Sequence, residues 1–412
     1  MKVNDNPPLH LTYCLNVHPA ESWEETFDAI RTYSLAIRDR LGVGGKFALG
    51  LRLSNQAACT LADENVLNEF ADFLERENLY VFTINGFAYG EFHSQPVKQD
   101  VYKPDWRSES RLEYTMKLAR ILSKLLPPNS LGSISTVPGS YREWIRTEAD
   151  LKEIAVMLAR SAIGLMEIYR DTGKEIILAL EPEPDCLMEG ADDAIKLLPR
   201  LAKVGANYIA ETCGMPFHQA MQRWKRYIGL CLDTAHLSVN FEDPAEAITK
   251  VSQAGIRIGK IQISAALQVR MTTDVLKRLA DFAEPVYLHQ VKALRTDGKI
   301  DSFPDLPAAL AAARDKSDCW KQWRVHFHLP LFFKGNEDFT STAKDLSNGD
   351  THPDGRFAQI LTSGITQQLE IETYTYNVLP ERIRGGNIVE DIVREYKWVI
   401  KELFGRIKSR QR

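Results

Sequence analysis

Three apolar runs in this chain end in an acid. Ile176-Ile177-Leu178-Ala179-Leu180 runs into Glu181 and Pro182, Ile228-Gly229-Leu230-Cys231-Leu232 into Asp233, and Leu369-Glu370-Ile371 into Glu372. A parallel strand covered on both faces reads as a continuous hydrophobic run, and its first polar residue falls where the chain leaves the core. Pro182 stops the first run at that point. Carboxylates delivered at three strand ends are hard oxygen donors, suited to one divalent ion such as magnesium, manganese or zinc.

Further donors stand close by in sequence. His236 follows Asp233 by three residues, Gln262 lies in Lys260-Ile261-Gln262-Ile263-Ser264, His289 in Tyr287-Leu288-His289-Gln290, and His326 and His328 in one short run. Side chains alternate along a strand, so His326 and His328 share a face, as do Glu370 and Glu372. Polar pairs facing a barrel interior need partners or a metal, because an unpaired buried charge is costly. The expected metal set is therefore Glu181, Asp233, Gln262, His328 and Glu372. A metal acting as a Lewis acid, with Glu181 and Glu372 passing a proton through an enediolate from opposite sides of the substrate, would isomerise or epimerise a small polyhydroxylated or keto metabolite. His236 would orient Asp233 or meet a substrate oxygen. His18 and Asn85 at two other strand tips, His289, and Lys98 in a long connection are the expected substrate contacts.

The elements that must position these groups alternate. Strand patterns at 9–17, 47–53, 79–84 and 132–137 precede the two acid-tipped runs, with helical patterns at 20–41, 61–74, 111–126 and 141–169 between them. Alternating strand and helix implies a parallel sheet, since parallel strands need crossovers, and a (β/α)8 TIM barrel with enlarged loops is the expected fold. Four later strand patterns, at 259–264, 286–291, 324–329 and 368–373, compete for the last two barrel positions, so one pair belongs to a hairpin or an excursion. Residues 87–106 form a long aperiodic connection rich in aromatic rings, which predicts an ordered lid. Residues 331–354 read as a surface insertion, and 389–407 as a closing helix that ends in a basic tail. With no linker or repeat, residues 1–412 read as a single domain.

Composition narrows the partners. The chain has 44% hydrophobic and 26% charged residues and a net charge of −4, which gives no basic field for nucleic acid or an anionic membrane. No apolar stretch reads as a signal peptide or a membrane span, and the six cysteines are scattered without a C-x-x-C pair. The expectation is a soluble cytoplasmic protein with reduced thiols and a small-molecule substrate.

At Leu178-Ala179-Leu180-Glu181-Pro182, Leu230-Cys231-Leu232-Asp233-Thr234-Ala235-His236 and Ile371-Glu372-Thr373 the chain resembles the xylose isomerase-like TIM-barrel superfamily of sugar isomerases, ketose 3-epimerases and endonuclease IV. That resemblance implies a metal held by Glu181, Asp233 and Glu372. Gln262 departs from it, standing where the sugar epimerases carry a metal-binding histidine, and an amide oxygen is a weaker ligand than imidazole. A narrower resemblance, on residues 11–19, 83–87, 98–106, 287–290, 326–328 and 370–375, is to the EboE family of metabolite-traffic proteins. It implies service in the export or maturation of a secondary metabolite and names no reaction. Two rival functions follow from these resemblances: a metal-containing escort that binds without turnover, and an endonuclease IV-like zinc phosphodiesterase.

Overall fold

The apolar runs fold as short buried strands in a computed structural model that describes residues 1–93, 96–272, 274–314, 319–336, 338–347, 355–381, 383 and 385–405. In chain order they are β1 (Lys2–Asn4), β2 (Leu9–Tyr13), β3 (Phe47–Arg52), β4 (Leu79–Asn85), β5 (Leu131–Thr136), β6 (Glu175–Leu180), β7 (Ile228–Asp233) and β8 (Ile258–Ile263). Then come β9 (Ala266–Arg270), β10 (Val291–Arg295), β11 (Ile300–Phe303), β12 (Trp320–His328), β13 (Phe339–Ser341) and β14 (Gln368–Ile371).

The main sheet runs β1-β2-β14-β8-β7-β6-β5-β4-β3, parallel throughout except for the short β1. A parallel bridge between Cys14 and Gly50 joins its two ends, which makes β2 to β8 and β14 an eight-stranded barrel. Glycine is required at this seam: a Cβ on Gly50 would collide with the Glu370 carboxylate and the Tyr13 carbonyl. Long helices cover the outside, including Glu148–Thr172, which starts in a Thr147/Asp150 capping box, and Ala191–Cys213.

Of the four competing strand patterns, the first and last close the barrel as β8 and β14. The chain between them builds a second sheet, antiparallel, in the order β11-β10-β12-β9-β13. Two expectations are corrected here. The strand expected at 286–291 begins only at Val291, because the Val286 carbonyl accepts from the amides of Val97 (2.9 Å) and Lys98 (3.3 Å) in the long connection instead of from a sheet neighbour. The stretch from Leu331 is no loose insertion: Leu331, Phe339 and Leu346 are buried, and β13 completes the second sheet. Residues 337 and 348–354 of that stretch, and the basic tail at 406–412, lie outside the described residues.

The barrel axis is polar, where such barrels are usually filled by branched aliphatic residues. Along β14 and just past it, Gln368, Glu370 and Glu372 face inward at three successive levels. At the lowest, Ser133 donates to Gln368 (2.5 Å) and shares a hydrogen bond with Thr83 (2.8 Å). In the middle, Lys260 Nζ pairs with Glu370 at 2.6 Å and donates to Ser135 (3.0 Å), both charged groups fully buried. The highest level opens at the C-terminal mouth. No helix among the described residues is long and apolar enough to cross a membrane.

Candidate active site at the barrel mouth

Strand register brings the sequence-derived residues to one level. Asp233 pairs with Gln262 across β7 and β8, and Gln262 with Glu370 across β8 and β14, so Glu372 lies one inward step above. Glu181 follows the last residue of β6 and is buried. Asp233 also caps the short helix Thr234–Val239. Its Oδ1 accepts from the amides of Ala235 (2.7 Å) and His236 (3.0 Å) and from the Ser264 hydroxyl (2.6 Å), while Oδ2 has no protein partner. Glu181 Oε2 is likewise buried and unpartnered.

Three imidazoles face these acids, each oriented through Nδ1. His236 Nδ1 donates to the Pro182 carbonyl (3.0 Å), His328 Nδ1 to the Glu372 carbonyl (2.8 Å) and His326 Nδ1 to Gln290 Oε1 (2.7 Å). Nε2 of His326 and of His328 is thereby left as a buried lone pair with no protein partner. The ring centroid of His236 is 4.6 Å from that of His326 and 5.6 Å from that of His328. Two donor sets result: Glu181, Asp233 and His236 lie mutually within 4.8 Å, and so do His236, His326 and His328. His326 and His328 share a face as expected, but they reach the site from β12 of the second sheet and not from the barrel wall.

Burial dominates the electrostatics, and the Lys260 ammonium one level below offsets it only in part. Burial, then the neighbouring Glu372 and Asp233, hold the Glu181 carboxyl well above the ordinary range. Burial, then Asp233 and Glu370, do the same for Glu372. Burial draws the His328 imidazole down to about 4 and holds His326 well below its ordinary value, so both are neutral and able to act as ligands near pH 7.

Glu372 is gripped by three amides. Oε1 accepts from Asn16 (2.7 Å) and Asn85 (3.1 Å), and Oε2 accepts from Gln262 Nε2. The carbonyl of Gln262 accepts from the Cys231 thiol (2.9 Å), so this side chain serves Glu372 and does not present its oxygen to the site.

The remaining expected residues divide. Asn85 lines the cavity. His18 does not: it stacks on Tyr33 (4.4 Å), meets the Tyr13 hydroxyl (3.1 Å), and Asn16 occupies the place expected for it. The 3-10 turn at Leu15–Val17 breaks strand alternation before His18 is reached. Lys98 lies along the cavity, but its ammonium is held by Asp305 (2.8 Å) and the carbonyls of Tyr287 (2.6 Å) and Glu284 (3.3 Å). His289 sits behind β12 with both nitrogens engaged, Nδ1 to the His326 carbonyl and Nε2 to Glu284, each at 2.8 Å. It supports His326 and offers a metal nothing.

Sequence reasoning passed over Glu183, Arg52 and Tyr374, which also line the cavity. Glu183 is buried and accepts from the Tyr102 hydroxyl (2.8 Å); its place two residues beyond Glu181, across a proline, was the available signal. In its described residues, 87–93 and 96–106, the long connection packs over the site as the expected lid. Tyr102 and Trp106 are fully buried, and His93 Nε2 donates to the Asn16 carbonyl (2.6 Å), tying the lid to the barrel mouth.

No family profile matches this chain, and no curated protein matches it. Solved structures do. A xylose isomerase-like TIM barrel protein from Mycobacterium smegmatis in complex with magnesium is 12% identical, with 96% of each chain covered and a TM-score of 0.48. The probable 3-DHS dehydratase AsbF of Bacillus anthracis, involved in petrobactin synthesis, is 13% identical, with 96% of this chain and 99% of that one covered and a TM-score of 0.46. An L-ribulose 3-epimerase is 16% identical over 68% of this chain and 80% of its own, with a TM-score of 0.37. By its own strand order and closure the chain is a (β/α)8 barrel, and the solved structures it resembles are xylose isomerase-like TIM barrels and sugar epimerases.

Proposed function

We propose that this protein is a divalent-metal-dependent isomerase or epimerase of a small polyhydroxylated or keto metabolite. The carrying observation is the set of buried ligand atoms without protein partners, Glu181 Oε2, Asp233 Oδ2, His326 Nε2 and His328 Nε2, gathered around His236. Leaving such atoms unpaired is costly, and a cation on the Glu181, Asp233 and His236 set would satisfy the two carboxylate oxygens, with the His326 and His328 nitrogens in the adjoining set. Glu181, Asp233 and His236 would hold the ion, with His328 beside them. A set this rich in imidazole favours zinc or manganese over magnesium. When bound, the metal supplies Lewis acidity toward a carbonyl and its neighbouring hydroxyl.

The chain's own groups supply the rest. Glu372, fixed by Asn16, Asn85 and Gln262 and raised in proton affinity by burial, is the group to take and return the proton. Glu181 stands by as its counterpart. The lid and the rings of Phe92, Tyr287 and Tyr374 keep water from the reacting carbon. The resemblance to the EboE family supports a metabolite that is matured or moved rather than one of central metabolism.

The test is solvent deuterium incorporation by metal-loaded protein across a broad panel of ketoses and keto acids. Exchange that Glu372→Gln abolishes while metal stays bound is the expected result; no exchange with any compound overturns the proposal. A second reading, a zinc phosphodiesterase, draws on the way His236 belongs to both donor sets. Two or more zinc ions per chain together with cleavage of bis(p-nitrophenyl) phosphate would favour it.

A further inference from the structure

The charges around the cavity bear on what kind of metabolite it admits. Among the described residues, two lysine or arginine side chains line it, Arg52 and Lys98, and the charge of each is already met by an acid, Glu21 for Arg52 and Asp305 for Lys98. Arg52 is buried, with Nη1 on Glu21 Oε2 (2.7 Å) and the Ala20 carbonyl (2.8 Å) and Nη2 on the Gly90 carbonyl (2.6 Å). The Lys98 ammonium donates all three of its protons to Asp305, Tyr287 and Glu284. Against these neutralised cations stand Glu181, Glu183 and Glu372, all lining the same space. With a divalent ion bound, Glu181 and Asp233 already match its charge, so a phosphorylated or carboxylate substrate would bury its own charge beside Glu183 and Glu372 with no further cation to meet it, and that cost opposes binding.

What the cavity offers instead is an aromatic wall and neutral hydrogen-bonding atoms. Phe92 from the lid, Tyr287 from the excursion and Tyr374 after β14 pack on one another with centroid separations of 5.1 Å, 5.3 Å and 5.0 Å, and all three line the cavity. Arg52 Nε and Asn16 Oδ1, both buried cavity residues, lack protein partners, so one donor and one acceptor are left for substrate hydroxyls. Sites that place a few polar atoms on an apolar wall hold a ligand by its face and orient it by its edge.

We infer that the substrate is an uncharged, unphosphorylated polyhydroxy ketone whose ring lies against Phe92, Tyr287 and Tyr374, and not a sugar phosphate. The inference rests on the proposed isomerase reading and deepens it.

Calorimetric binding to the full-length, metal-loaded protein tests it with three probes: 2-keto-myo-inositol, D-fructose and D-fructose 6-phosphate. The expected result is that D-fructose 6-phosphate binds at least tenfold more weakly than D-fructose, and that the keto-inositol binds at least as well as D-fructose. Phe92→Leu should weaken the keto-inositol about tenfold with metal content unchanged, and Glu21→Gln, which releases Arg52, should strengthen D-fructose 6-phosphate. Equal or tighter binding of the phosphate ester by the parent protein overturns the substrate class and leaves the metal-isomerase reading standing. Full keto-inositol affinity in Phe92→Leu, or no binding of either neutral probe, overturns it as well. Failure of the parent to retain metal tells instead against the underlying reading.

Discussion

Gln262 on β8 donates its side-chain amide to Oε2 of Glu372, beyond the end of the neighbouring β14, while its own carbonyl rests on the Cys231 thiol. The residue expected from the sequence as a metal ligand thus becomes a brace for the proposed base. Gln262→Leu should cost about 1–3 kcal/mol in chemical denaturation, the penalty of a buried carboxylate losing one hydrogen bond. Metal content should not change. A variant that loses its metal along with its stability would return Gln262 to the ligand set.

Beneath the site, the fully buried Lys260–Glu370 pair at 2.6 Å should behave as buried ion pairs do when halved. Lys260→Met alone leaves Glu370 uncompensated and should destabilise the fold by about 3–5 kcal/mol. Lys260→Met combined with Glu370→Met should recover most of that loss. Denaturation midpoints that add instead of compensating would show that the two charges act independently.

Glu395, on the helix Ile388–Val399, is buried and accepts from the Thr373 hydroxyl (2.7 Å) and the Leu331 amide (3.1 Å), next to Glu372 in the chain. Burial raises its carboxyl from 4.5 to about 7. A carboxyl raised on folding contributes stability that is whole below its unfolded value and is lost as pH rises through the folded one, here between 4.5 and about 7. Glu395→Gln, which keeps an acceptor and cannot ionise, should melt like the parent at about pH 4 and be more stable than it at about pH 8, by up to about 3 kcal/mol. On the acid side, burial pulls His18 from 6.5 down to about 3, so its contribution is whole above 6.5 and is lost as pH falls below it.

The barrel and its acids were legible because parallel strands leave a one-dimensional mark. A run such as Ile176 to Leu180 has nowhere polar to point until it ends, and Glu181 and Asp233 are where two of these runs end. The second sheet left no such mark. β12 shows the same mixture of aromatic and polar residues as any strand, and nothing local says that its neighbours are antiparallel, so its histidines could be paired on one face but not assigned a sheet. Lys98 and His289 illustrate a different limit. Residue type proposed them as substrate contacts, but their partners, Asp305 for Lys98 and Glu284 with the His326 carbonyl for His289, are set by tertiary packing. Glu370 was paired with Glu372 on one face, correctly by alternation, yet its partner Lys260 is 110 residues away. Spacing can put two groups on one face, but only the closed barrel can supply the third that neutralises them.

Elemental analysis of the purified protein, after loading with zinc or manganese and desalting, addresses the metal centre itself. The account predicts tightly held divalent metal in the parent chain, and less than a tenth of that content in the combined Glu181→Gln and Asp233→Asn variant with its fold intact by circular dichroism. A parent chain that emerges metal-free, or a variant that keeps its full complement, would contradict it.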